Sequence, residues 1–151
     1  MMYDSNPGKY SSFKSRGERS IADFLESARI EYVYEPGVLV VDRGYNRLWY
    51  PDLGLPQYDV FIEYFGIEQD PEYDARSRHK LATYQKNHID IIPVYPHHLK
   101  ADYGGYILDE LHRCVSGRMS QLERTINAYH SRCPVVSSTA PKGYSRSFSK
   151  Y

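Results

Sequence analysis

The stretch "WYPDLGLPQYDVFIEYFG", residues 49 to 66, carries two carboxylates eleven positions apart, Asp52 and Glu63, each beside or inside a run with strand character. Glu63 ends an otherwise apolar run. An unpaired buried charge costs on the order of several kcal/mol, so this carboxylate needs a cation, a donor or water. If the two runs pair as antiparallel neighbours, Asp52 and Glu63 come together across the ladder. Two carboxylates at one place repel each other unless a cation lies between them, and hard oxygen ligands without sulfur favour Mg²⁺ or Mn²⁺. Mg²⁺ takes one or two protein carboxylates and fills its shell with water and substrate phosphate, which points to phosphodiester chemistry. Lys80, on a following helical segment, can reach back to the strand ends with its long ammonium side chain, and Glu18 on a first helix offers a further carboxylate. The plain reading stands beside this one: aspartate after proline is a routine turn residue, and most helical lysines and glutamates lie on solvated faces.

Such side chains need elements to hold them. In "SRGERSIADFLESARI", residues 15 to 30, Ile21, Phe24, Leu25 and Ala28 recur at helical spacing, with Glu18, Arg19 and Asp23 on or near the opposite side; Ser15 is a candidate cap with Glu18 three residues later. "IEYVYEPGVLVVD", residues 30 to 42, is β-branched and aromatic but broken by Pro36 and Gly37, and so reads as a bulged strand or as two short strands. "NRLWYPDLGLP" and "YDVFIEYFG" follow as two further strands of a three-strand meander. Residues 70 to 88 read as a helix with Asp70 as cap, Pro71 in the first turn, and Tyr73, Ala75, Leu81, Ala82 and Tyr84 among many charges. "IDIIPVYP", residues 89 to 96, returns parallel to the sheet, although Pro93 disfavours an interior position. Residues 104 to 132 carry a stripe from Ile107 to Ile126 that predicts a C-terminal helical extension, with Gly117 a candidate break. The order is helix, three strands, helix, strand, helix: an α/β fold with a mixed sheet.

The 151 residues suit one domain, expected over 14 to 133, between a loosely ordered arm at 1 to 13 and a Ser/Thr/Pro-rich tail at 134 to 151 expected to be disordered. With 19 basic and 19 acidic residues the chain is not a broadly cationic nucleic-acid binder, so phosphate contacts fall to local patches. One such patch is "KYSSFKSRGER", residues 9 to 19, with four bases against one acid. Cys114 and Cys133 have no metal-ligand spacing and are expected as free thiols of an intracellular protein, in the cytoplasm or nucleoid. His79, His88, His97 and His98 form no zinc set. No run approaches the ~20 apolar residues of a membrane span, and the N-terminus has no signal-peptide core, so a soluble protein is expected.

Three stretches, "GERSIADFLESARIEYVYE", "WYPDLGLPQYDVFIEYFGI" and "PEYDARSRHKLATYQKNHIDIIPVYPHHL", together resemble the PD-(D/E)XK nuclease superfamily, in particular the nuclease domains found with some helicases and in small restriction or homing endonucleases. The resemblance spans about residues 14 to 99. It implies a restriction-endonuclease-like αβββαβ core, a mixed central sheet flanked by helices, that binds Mg²⁺ and cuts DNA. Asp52 would be the principal metal ligand, Glu63 the second acid, and the backbone carbonyl of Tyr64 a third donor; Mn²⁺ would substitute. Glu18 matches a first-helix glutamate near the metal, and Lys80 would orient or activate the attacking water.

Two positions after Glu63 the family usually has lysine, and this chain has Phe65. Lys80 reads as a migrated lysine. A non-catalytic member of the fold that binds DNA or a protein partner is the alternative. Arg16, Arg76 and Tyr84 are the candidate substrate contacts, with packing or solvated faces as their plain readings. Because cutting both strands commonly takes two active sites, a homodimer or higher homo-oligomer is expected slightly ahead of a monomer.

Overall fold

The fold is that of a computed structural model, and residues 13 to 132 are described here. Almost all of the expected arm, the whole expected tail, and Cys133 lie outside the described residues. The chain divides into two compact units, one ending at Gly117 and one beginning at Arg118.

The first helix, α1 (Arg16–Ser27), starts where expected: the Ser15 side chain accepts a hydrogen bond from the Glu18 N–H. Its buried residues are Gly17, Glu18, Ile21, Ala22 and Leu25, so Glu18 is a correction, since it lies inside and not on the polar side. Ala28 is the exposed C-cap and not part of the apolar stripe.

The segment from 30 to 42 resolves into two short strands, β1 (Val33–Tyr34) and β2 (Val38–Asp42), and they belong to different sheets. Between them Glu35 takes a left-handed φ of 46° ahead of Pro36, which turns the chain out of the first sheet. β2 pairs with β3 (Tyr45–Trp49) in a two-stranded hairpin, closed by Arg43 and Gly44 at φ of 51° and 83°. Positive φ at both turn residues matches the twist of the flanking strands, and glycine supplies it without steric cost. The run expected as one strand over 46 to 56 therefore divides: Pro51 and Asp52 separate β3 from β4 (Leu53–Leu55).

β4 pairs antiparallel with β1 on one side and with β5 (Val60–Tyr64) on the other. The helix α2 (Pro71–Lys86) follows, with the Asp70 carboxylate accepting from the N–H groups of Glu72 and Tyr73 and Pro71 opening the first turn. β6 (Ile91–Val94) then returns parallel to β5, giving a four-stranded mixed sheet in the order β1-β4-β5-β6. Pro93 is accommodated because β6 is the last strand. Its outward carbonyl accepts from the Tyr106 hydroxyl at 2.7 Å. A short α3 (Pro96–Leu99) leads to α4 (Tyr103–Arg132), which passes Gly117 without a break.

Alternation along the strands sorts the two faces of this sheet. Leu53, Leu55, Val60, Ile62, Ile92 and Val94 form one buried cluster with Ile21, Leu25, Ile107 and Leu111 of α1 and α4. The intervening positions, Gly54, Phe61, Glu63 and Phe65, belong to the opposite face, where Lys80 of α2 meets Glu63. In the second unit the described residues are the helical stretch 118 to 132, on which Met119, Leu122, Ile126 and Tyr129 are exposed. No helix among the described residues is long and apolar enough to cross a membrane.

Candidate active site

The register of β4 on β5 pairs Leu53 with Ile62, so one step further Asp52 falls opposite Glu63. The ladder also orients the backbone. Phe61 and Phe65 donate their N–H groups to β6 neighbours, which leaves the N–H and C=O of Tyr64 on the β4 side. There the Tyr64 N–H donates to Asp52 Oδ2 at 2.7 Å.

Lys80 reaches the pair from α2. The buried residues of that helix are Ser77, Thr83 and Tyr84, and not the expected Leu81 and Ala82. Lys80 stands three residues after Ser77 and four before Tyr84, on one helical face with both. Its Nζ donates to Glu63 Oε1 in an ion pair that is mostly shielded from solvent. Glu63 itself is only 6% exposed, and its second oxygen, Oε2, is buried with no hydrogen-bond partner among the described residues.

Burial pushes the Asp52 carboxyl up to about 6, helped by the charge of Glu18 and opposed by the Tyr64 N–H. Burial and the neighbouring Asp52 charge push Glu63 up to about 7 against the pull of Lys80. The Glu18 charge thus raises the cost of ionising both carboxyls, and the Asp52 charge adds to that cost at Glu63.

Glu18, also 6% exposed, is near enough for its charge to act on both carboxyls, but its own bonds are taken by the end of the helix. Oε1 accepts from the Ser15 hydroxyl at 2.9 Å, while Oε2 accepts from the Tyr34 hydroxyl at 2.7 Å and the Lys14 N–H at 3.1 Å. Burial, then the bond to Glu18, raises the Tyr34 hydroxyl to about 12, so it stays a donor.

Of the expected substrate contacts, Arg16 is exposed at the start of α1 and Arg76 lines a cavity, while Tyr84 is fully buried with its ring edge-on to Trp49 at 5.5 Å. Tyr84 is therefore a packing residue. Phe65, two positions after Glu63, is buried and stacked on Tyr95 at 5.5 Å.

No family model, curated protein or solved structure matches the chain.

No group of three or more His, Cys, Asp or Glu side chains among the described residues is arranged to hold a metal ion. The donor set is smaller: Asp52, Glu63 with its unpartnered buried oxygen, and the Tyr64 carbonyl on the same side of the strand. Mg²⁺ needs only one or two protein carboxylates beside water and phosphate, so this set fits that ion.

The structure adds what the sequence reading missed. A cavity of about 790 Å³ has one wall made by the hairpin residues Arg43, Leu48, Trp49 and Tyr50 and another by Ala75, Arg76, His79 and Lys80 of α2. Two anchors fix the hairpin to the helix: His79 Nε2 lies 3.0 Å from Asp42 Oδ1, and the Asn87 side chain bonds both the N–H and the C=O of Val41, at 2.8 and 3.1 Å. The available signal was the Arg43-Gly44 pair between two strand-like runs.

Proposed function

We propose that the chain is a metal-dependent endonuclease that hydrolyses DNA phosphodiester bonds. The observation that carries this reading is the Lys80 ammonium bonded to buried Glu63, opposite Asp52, at the ends of adjacent strands. A helical lysine that meets two carboxylates at adjacent strand ends agrees with reading Lys80 as the migrated lysine of the sequence resemblance. Setting aside the hairpin, the order α1, β1, β4, β5, α2, β6 also follows the αβββαβ pattern, which supports a restriction-endonuclease-like core.

Asp52, Glu63 and the Tyr64 carbonyl would hold Mg²⁺ or Mn²⁺. The ion, when bound, would stabilise charge on the phosphate and lower the pKa of the attacking water. Lys80 orients that water and offsets the negative charge that grows on the phosphate. The attacking water gives up a proton to solvent and its oxygen bonds to phosphorus in line as the bond to the 3′-oxygen breaks, and the leaving oxygen takes up a proton from solvent. Glu18 holds the first turn of α1 in place and adds its charge to the field of the site. Self-association, which would supply a second active site, is supported by the exposed Met119, Leu122, Ile126 and Tyr129 at three- and four-residue spacing.

Cleavage of plasmid, branched and single-stranded DNA with Mg²⁺, compared between the native chain and Asp52→Ala, tests the reading. Cutting by the native chain alone is expected, and equal cutting by both overturns the assignment. Phe65, packed on Tyr95 where the family has lysine, favours the second reading, a non-catalytic nuclease fold that binds DNA or a protein partner. Binding without cutting on every substrate would select it.

A further inference from the structure

The cavity beside Lys80 is within the usual size range for a small-molecule guest, about 300–1,000 Å³. Its character is mixed in a particular way. Leu48, Trp49 and Tyr50 give it a mainly apolar, aromatic wall. The cations on its lining outnumber the acids, Glu35 being the sole carboxylate there, and Glu35 is already paired with Lys14. Lys80 is held by Glu63 and His79 by Asp42. Arg43 and Arg76 remain, with no carboxylate partner among the described residues; the Arg76 guanidinium lies 6.0 Å from the Tyr73 ring centroid. An aromatic wall with two uncommitted guanidinium groups matches a guest with a flat ring and an anionic phosphate.

We infer that this cavity receives one unpaired nucleotide of a DNA strand, its base against Trp49 and Tyr50 and its phosphates on Arg43 and Arg76. The inference rests on the nuclease reading for its choice of DNA. Lys80 lines the cavity and also bonds Glu63, so a nucleotide seated there brings its own backbone to the two carboxylates. A base inside a duplex is stacked on both faces and must be unpaired and unstacked to enter, whereas a single strand, a flap or a frayed end meets that cost in part or not at all. The substrate class this selects is DNA with an unpaired segment at the cleavage point.

Trp49 is the only tryptophan of the chain, so its fluorescence reports this wall alone. The experiment titrates the full native chain, in EDTA, with an oligothymidylate of about ten nucleotides, a typical single-strand site size, and with a blunt duplex of the same length. Saturable quenching is expected with the single strand at roughly tenfold or greater preference over the duplex. Arg43→Asn, chosen because asparagine tolerates the left-handed φ at this position, combined with Arg76→Gln, should weaken single-strand binding by about ten- to a hundredfold and reduce its salt dependence. Equal affinity for the duplex, or strand binding by anisotropy with Trp49 unchanged, overturns the inference. The nuclease reading fails separately. A chain that cuts with Mg²⁺ but shows neither quenching nor single-strand preference loses the pocket and keeps the activity, and one that quenches selectively but never cuts keeps the pocket and loses the activity.

Discussion

Lys80 on α2 bonds Glu63 at the end of β5, seventeen residues away in sequence, and so puts an ammonium group beside the two carboxylates. If this ammonium is the one that orients the attacking water, Lys80→Ala should lower kcat by about a hundred- to a thousandfold, the usual cost of removing one preorganised transition-state donor. KM should move little. Lys80→Arg, which keeps the charge but not the compact head, should retain partial activity. Single-turnover cleavage at saturating Mg²⁺ measures both, and a Lys80→Ala enzyme as fast as native would remove Lys80 from the reaction.

The two carboxyls make a pH prediction without any activity assay. Asp52 and Glu63 ionise in the folded chain at about 6 and about 7, above ordinary carboxyl values. Between about pH 4 and pH 7 the folded state therefore holds protons that the unfolded state has released, so stability falls as pH rises through this window and levels off above it. In EDTA the melting temperature should be lower at pH 8 than at pH 5. Asp52→Asn, which keeps an acceptor for the Tyr64 N–H, should be more stable than native at pH 8 by about 1–3 kcal/mol, since one pKa unit corresponds to about 1.4 kcal/mol. A less stable Asp52→Asn at that pH would contradict the assigned cause.

A divalent cation should reverse that loss. At pH 8, Mn²⁺ or Ca²⁺ at about a hundred times its Kd should stabilise the native chain by about 2.7 kcal/mol and leave Asp52→Asn nearly unchanged. The effect should fade towards pH 5, where the carboxyls hold their protons. Differential scanning calorimetry with and without the ion checks this, and an equal shift in both proteins would place the ion elsewhere.

The elements that carry the candidate site were largely legible because each had a local cause. Ser15 capping α1, Asp70-Pro71 opening α2 and the apolar run of β6 are short-range signals that tertiary contacts did not override. What stayed hidden depended on long-range partners. Glu18 looks solvated on a helical wheel, and it is buried because Ser15, Tyr34 and the Lys14 N–H surround it. The buried face of α2 escaped an apolar count because it presents Ser77, Lys80 and Tyr84 to a sheet face that carries Glu63. The hairpin escaped because β1 and β2 read as one β-branched stretch, and only pairing partners tell that they join different sheets.

Gly17 is a position where close approach fixes the residue type. A Cβ built there would lie 2.3 Å from the Tyr64 ring, at the end of the strand that carries Glu63. Gly17→Ala must displace that ring, and overpacking of this kind costs about 1–3 kcal/mol. Chemical denaturation should show that loss, and the cost should shrink when Tyr64→Ala is added, because the clash is pairwise. Additive effects of the two substitutions would mean that α1 and β5 adjust independently.

Asn87 holds the hairpin to α2 through both polar groups of Val41. Its carboxamide also donates to the Thr83 carbonyl at 2.8 Å, so the side chain caps the helix and anchors the strand at once. Asn87→Ala should cost about 1–2 kcal/mol of global stability, in line with the loss of one or two net hydrogen bonds. The local effect should be larger. Hydrogen exchange at the Val41 amide should accelerate well beyond that of β5, because the hairpin loses its tether while the main sheet keeps its ladder. With the hairpin loosened, the wall that carries Trp49 is less ordered before a guest arrives, and single-strand affinity should drop even though no cavity residue has changed. Unaltered exchange at Val41 would show that the Asp42 to His79 contact and the packing of Trp49 on Tyr84 hold the hairpin without Asn87.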